Sequence, residues 1–60
     1  MTYMMYYIVK LINPQTKEIY FESRSRKAVL PDRKTLEKFP GALLVIKTNL
    51  EGVEEQKIVP

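Results

Sequence analysis

The chain has 60 residues, ten Lys and Arg against seven Asp and Glu, and no Cys or His. This length allows one small domain over residues 1–60, and the missing Cys and His exclude disulfides and nearly every zinc or transition-metal site. No apolar run approaches the roughly 18 residues of a membrane span. The apolar start lacks the basic region of a signal peptide, so we expect a cytoplasmic chain with no membrane partner.

The first predicted element is a strand over residues 3–12, which contains a single charge, Lys10. Both of its alternating faces are apolar, a pattern typical of a central strand that is covered on two sides. A chain this short has too little material to cover both faces of a sheet. We therefore expect a second subunit or another partner to cover one of them.

A turn is predicted at residues 13–17. The Asn13 side chain can bond to the backbone that follows it, and Pro14 presets the φ angle of the second turn position. Residues 18–22 have the composition of a strand. The first two strands should therefore form a hairpin.

Residues 23–39 allow two interpretations. In one, a helix begins from a cap at Ser23 or Ser25 and kinks at Pro31. In the other, which we favour, the helix begins at Pro31, where a missing N–H loses no hydrogen bond, and residues 25–30 form a looser turn. The sequence leaves open whether the segment before Pro31 is helix, strand extension or loop.

The favoured helix has further support. Asp32 would lie near its positive end, and Leu36 and Phe39 form an apolar pair one turn apart. Proline and glycine at residues 40–41 end the helix.

Residues 42–48 have the composition of a buried strand, residues 49–52 that of a turn, and residues 53–59 that of a polar edge strand. The order β-β-α-β-β predicts an α+β fold: a four-stranded antiparallel sheet with one helix on one face, completed by dimerisation. The expected core consists of Ile8, Ile19, Phe21, Leu36, Phe39, Leu44 and Ile46.

Positive charge is concentrated in residues 24–38, where six basic residues stand against two acidic ones. Clustered Lys and Arg gain affinity for phosphate through counterion release, and the Arg fork binds phosphate with two hydrogen bonds. The ordinary alternative is the solvated face of an amphipathic helix. As ligand-binding residues for a nucleic acid or a nucleotide the sequence offers Arg24, Arg26, Lys27, Arg33 and Lys34.

Most of the aromatic side chains fall on the first hairpin, so some of them must face solvent or a partner. A tyrosine-bearing sheet face can stack nucleic-acid bases. A subunit interface is favoured, because Tyr buries a large area while keeping a polar tip. The candidate interface residues are Tyr3, Met5, Tyr7 and Tyr20.

Catalysis has little to build on in this sequence. Lys27, the lysine nearest Ser23 and Ser25, lies in a positive run that does not desolvate it as a general base. The adjacent Glu54 and Glu55 would point to opposite faces of a strand. No EF-hand spacing and no glycine-rich phosphate loop is present. We expect a protein that is not an enzyme and takes no cofactor or metal.

The small size, the Asn-Pro-x-Thr turn at residues 13–16 and the lack of catalytic residues resemble, at the level of a class, the short accessory reading frames of phages and mobile elements. That resemblance implies an inhibitor or sequestering role. Two functions therefore stay open. One is a homodimeric binding module for a phosphate-rich ligand; the other is a protein-interaction module that masks or sequesters a host protein.

Overall fold

The computed structural model describes residues 4–50 and 54–60 and contains a four-stranded antiparallel sheet with one short helix. The elements are β1 (Tyr7–Ile12), β2 (Ile19–Ser25), α1 (Arg33–Lys38), β3 (Leu43–Thr48) and β4 (Glu55–Ile58). The strands lie in the order β2-β1-β3-β4. The predicted element order, the central position of the first strand and the edge position of the last are confirmed. In these two ranges no helix is long and apolar enough to cross a bilayer.

The turn between β1 and β2 forms as its residues predict. The Asn13 Oδ1 atom accepts hydrogen bonds from the backbone N–H groups of Gln15 (2.8 Å) and Thr16 (3.1 Å). The N–H of Lys17 donates to the Asn13 carbonyl at 2.8 Å. Lys17 closes the turn with φ at 67°, a backbone conformation that side chains other than Gly seldom adopt.

β1 is shorter than predicted, because it begins at Tyr7 rather than at residue 3. An asparagine takes over the pairing at this end. The N–H of Tyr6 donates to Asn49 Oδ1 at 2.8 Å, and Asn49 Nδ2 donates to the Met4 carbonyl at 3.1 Å. The backbone N–H of Asn49 also donates to the Tyr6 carbonyl at 3.1 Å, so the backbone and side chain of Asn49 together hold this end of the strand.

β2 extends further than predicted and contains a bulge. The segment that the sequence left open divides at Ser25: residues 23–25 continue the strand, and residues 26–30 form neither helix nor strand. Leu11 pairs with Phe21 whereas Ile12 pairs with Ile19, so Tyr20 is the extra residue of the bulged strand.

The helix begins later than predicted. Asp32 has an extended backbone (φ −73°, ψ 170°), and its carboxylate accepts the N–H of Thr35 at 2.8 Å, which makes it the N-cap. The prediction that Pro31 lies in the first helical turn is therefore wrong: Pro31 precedes the cap and is buried. The helix ends at Lys38, and Gly41 adopts a φ of 84° just beyond it.

The core differs in part from the predicted set. Val9 and Leu11 are fully buried on β1, and Leu11 forms a cluster with Ala42 and Val59. Four expected core residues, Phe21, Leu36, Phe39 and Leu44, pack against this cluster, together with Tyr20.

Ile19 was expected in the core and is half exposed, so that prediction is wrong. Ile19 begins an edge strand, outside the bulge, and among the described residues no strand flanks it on its outer side. Ile8 and Ile46, also expected in the core, are partly buried, and the register places Ile8 on the face of the sheet opposite Leu11.

Candidate functional site

A groove of about 580 Å³ lies between the 26–30 segment and the sheet. It is lined by Tyr7, Arg26, Lys27, Ala28, Leu30, Ile46, Lys47, Thr48 and Glu55. These residues come from β1, β3, β4 and the segment after β2, so folding brings together positions that are distant in sequence. We call this cavity the basic groove, after Arg26 and Lys27.

The floor of the basic groove follows from the pairing of β1 with β3. Tyr7 lies opposite Thr48, and Val9 lies opposite Ile46. Side chains of directly paired residues share a face, and alternate residues of a strand do so too. Tyr7, Ile46 and Thr48 therefore lie on the face that carries the buried Val9.

The wall of the basic groove is tied to the sheet at two points. The hydroxyl of Ser23, on β2, donates to the carbonyl of Val29 at 2.9 Å. Pro31 is buried and fixes the far end of the segment, whereas Val29 and Leu30 remain about half exposed. The segment is thus anchored by its ends while its apolar side chains stay open to solvent.

The charges around the basic groove are predominantly positive. Arg26 and Lys27 follow β2 and are exposed, and Glu55 supplies the acidic group. Lys47 also borders the groove, but it pairs with Ile8, so its side chain lies on the face of the sheet opposite Tyr7. The Arg26 guanidinium lies 3.8 Å from the sulfur of Met4. A thioether is a weak hydrogen-bond acceptor, so this contact leaves the guanidinium available to a stronger acceptor.

The other predicted ligand-binding residues lie elsewhere. Arg24 pairs with Ile8, which places its side chain on the face opposite Ser23, and its Nη2 atom lies 4.0 Å from Glu22. On α1 the Nε atom of Arg33 lies 3.3 Å from a carboxylate oxygen of Glu37. Arg33 also lines a separate cavity of about 280 Å³, with Leu44, Lys57 and Ile58 among its other lining residues. Lys34 is exposed on the same helix.

The structure therefore brings Arg26 and Lys27 into one cavity and does not bring Arg24, Arg33 or Lys34 into it.

The predicted interface residues are also distributed over the fold. Tyr3 lies outside the described residues, Met5 is 44% exposed, and Tyr7 is half-buried in the basic groove. Tyr20 stacks on Phe39 with ring centroids 4.1 Å apart and an interplanar angle of 7°. The register places Tyr7 and Tyr20 at opposite ends of the β1–β2 ladder.

One carboxylate has a shifted pKa. Hydrogen bonds from the Thr35 side chain and then its backbone hold the pKa of Asp32 below its usual value, and the charge of Lys38 acts in the same direction. In the part of the chain that the structure describes, no three acidic side chains come together as a possible metal site.

Thr48 and Glu55 are groove residues that the sequence did not point to. They lie far in sequence from Arg26 and Lys27 and join them only through the pairing of β3 with β1 and with β4. Comparisons with protein-family models, with curated proteins and with solved structures found no match for this chain.

Proposed function

We propose that this chain is a non-enzymatic binding module that takes a phosphate-rich ligand, a nucleic acid or a nucleotide, in the basic groove. The observation that carries the proposal is the meeting of Arg26 and Lys27 with a tyrosine in one cavity. In the same proposal the helix lies on the Leu11 face of the sheet and the protein acts as a homodimer.

The chemistry of the basic groove suits such a ligand. Arg26 and Lys27 release condensed counterions when they neutralise phosphates, and the Arg26 guanidinium can bind a phosphate with two hydrogen bonds. The ring of Tyr7 offers a stacking surface for a base, and a base can stack without sequence preference. Glu55 repels phosphate, so we place the phosphates toward the Arg26 and Lys27 side.

Charge reversal tests this assignment. Arg26→Glu with Lys27→Glu should weaken binding of a fluorescent single-stranded oligonucleotide at least about tenfold at low salt. Because each lost phosphate contact removes about 0.7 from the slope of log affinity against log salt, the slope should fall by about 1.4. Fluorescence anisotropy over a salt series measures both quantities.

The matched control reverses the same amount of charge on the helix. Arg33→Glu with Lys34→Glu changes the net charge equally but leaves the basic groove intact. We expect a loss of about threefold or less, from the long-range field alone. Equal losses for the two double variants, or no loss in either, would refute binding in the groove.

A second candidate, a protein-interaction or inhibitor module, is favoured by exposed apolar side chains near the Tyr7 end. Met4 is 58% exposed, Met5 44% and Leu50 42%. The hydrogen bonds of Asn49 hold Met4 and Tyr6 close to the segment of Asn49 and Leu50. Exposed apolar patches mark interaction sites. Oligonucleotide binding that is absent at low salt, with capture of one host protein that Met5→Glu and Leu50→Glu abolish, would select this function.

A further inference from the structure

We propose that β2 pairs with β2 of a second copy of this chain, antiparallel and centred on Ser23, so that the two sheets join edge to edge. The inference rests on the homodimer in the proposed function, but not on the ligand. It identifies the contact surface and its register.

The outer edge of β2 is open among the residues that the structure describes. β2 lies at one edge of the sheet, and the strand that it pairs with is β1. None of the turn and loop backbone hydrogen bonds within residues 4–50 and 54–60 involves residues 19–25. An edge of this kind presents a row of N–H and C=O groups that another strand can pair with.

The charge pattern of β2 is self-complementary about one residue. Glu22 and Arg24 lie on the same face, on either side of Ser23. When two antiparallel copies are centred on Ser23, each Glu22 lies opposite Arg24 of the other copy, and two cross-strand ion pairs form. Moving the centre to Glu22 places Glu22 opposite itself, and moving it to Arg24 places Arg24 opposite itself. The second shift would also bring Glu22 opposite Arg26, but Arg26 lies beyond the end of β2 at Ser25.

The available edge has its midpoint at the same residue. The bulge at Tyr20 interrupts regular pairing at one end, and the strand ends at Ser25 at the other. The uninterrupted segment is therefore residues 21–25, whose central residue is Ser23. Geometry and charge thus specify one register independently.

The two charged groups are accessible to a second copy. The side chain of Arg24 is 62% exposed and that of Glu22 is 38% exposed. Within the chain, Glu22 lies 3.7 Å from Lys10 and 4.0 Å from Arg24, distances that leave room for a closer partner. In the paired state its carboxylate would lie between Lys10 of its own chain and Arg24 of the second copy.

The first experiment is a charge swap read by sedimentation equilibrium. Glu22→Arg alone places like charges opposite each other twice, and we expect the dimer dissociation constant to rise about tenfold or more. Adding Arg24→Glu restores two opposite pairs and should return the constant to within about threefold of the original. A monomeric mass for the unmodified chain at about 100 μM would overturn the proposal, and so would a swap that fails to restore the dimer while remaining folded.

The second experiment determines the register by disulfide formation. Because the chain has no cysteine of its own, no native thiol competes with the introduced ones. A mixture of E22C and R24C chains should form a mixed disulfide dimer faster than either variant alone. The mixed pair aligns the two cysteines and keeps one Glu22–Arg24 ion pair, whereas either variant paired with itself has neither feature.

β4 supplies the matched control, since Glu55 and Lys57 repeat the same pattern about Gln56 on the other edge of the sheet. A mixture of E55C and K57C should cross-link slowly, because β4 has only four residues. Faster cross-linking there than in β2 would refute the assignment to β2.

The charge swap leaves Arg26 and Lys27 unchanged. If the chain with the charge swap does not dimerise but still binds the oligonucleotide, the interface proposal fails and the proposed function stands. Loss of oligonucleotide binding in a chain that still pairs through β2 would refute the ligand and leave the interface standing.

Discussion

On the face of the sheet that carries Val9, the two ends of the β1–β3 ladder differ. One end is filled by packed side chains, and the other is open. At the far end Leu11 is fully buried, in a cluster with Ala42 and Val59 that Leu36 and Phe39 pack against. At the near end Tyr7 is half-buried in a groove bounded by a segment without helix or strand. Fully buried Val9 lies between them.

The difference follows from what the chain has available to place over each end. The packed end receives the helix, the aromatic stack and the residue that follows β4. Of the residues that the structure describes, the 26–30 segment covers the Tyr7 end, tied down by a hydroxyl and a proline. A 60-residue chain has little material with which to cover a sheet, and the Tyr7 end is where we propose that the ligand binds.

The largest expected effect is the loss of the packed end. Leu11→Ala removes a fully buried side chain, so the free energy of unfolding should fall by about 2–5 kcal/mol. Urea denaturation followed by circular dichroism measures it. If this variant does not fold, Leu11→Val should still show a loss of about 1 kcal/mol.

Ile19→Ala is the control, because it removes a similar side chain that is 50% exposed on the edge of the same hairpin. We expect a loss below about 1 kcal/mol. Comparable losses at Leu11 and Ile19 would mean that the packed end is not where the stability of the chain resides.

The second effect concerns the open end. Tyr7→Leu keeps an apolar side chain but removes the ring, so oligonucleotide affinity should fall about tenfold while stability changes little. Tyr7→Phe keeps the ring and should bind within about twofold of the original chain. An unchanged affinity for Tyr7→Leu would remove stacking from the proposal and leave the cations alone to account for binding.

Much of this architecture could be predicted from the sequence, because the residues that end and connect its elements act locally. Asn13 and Pro14 specify the first turn, and residues 40–41 end the helix through backbone constraints that need no tertiary contact. The hairpins and the polar edge strand follow from residue patterns of the same local kind.

The choice of core face could not be predicted, because both faces of β1 are apolar and the periodicity is therefore the same for each. Tyr20 illustrates the difficulty. Strict alternation would place it away from Phe21, but the bulge lets both of them pack against the Leu11 cluster. The basic groove was equally inaccessible, since Thr48 and Glu55 join Arg26 only through long-range strand pairing.

The smallest effect tests the junction between the two ends, where Asp32 caps the helix just after the groove segment. Its pKa is lowered in the folded chain, so the ionised form stabilises the fold. That contribution is fully present above the ordinary value near 3.8 and is lost as the pH falls through the lowered folded-state pKa. Asp32→Asn keeps an oxygen that can accept the Thr35 N–H but removes the charge.

Thermal unfolding of the original chain and the Asn variant should therefore differ by a few degrees at pH 7, with the original more stable, and the difference should disappear in acid. Lys17→Glu, which reverses an exposed charge in the distant first turn, is the control for general charge effects. No difference at any pH would show that the cap acts through its hydrogen bond alone, and a difference that stays constant into acid would show that the charge is not its source. The packed end would then depend on the geometry of the cap rather than on its charge.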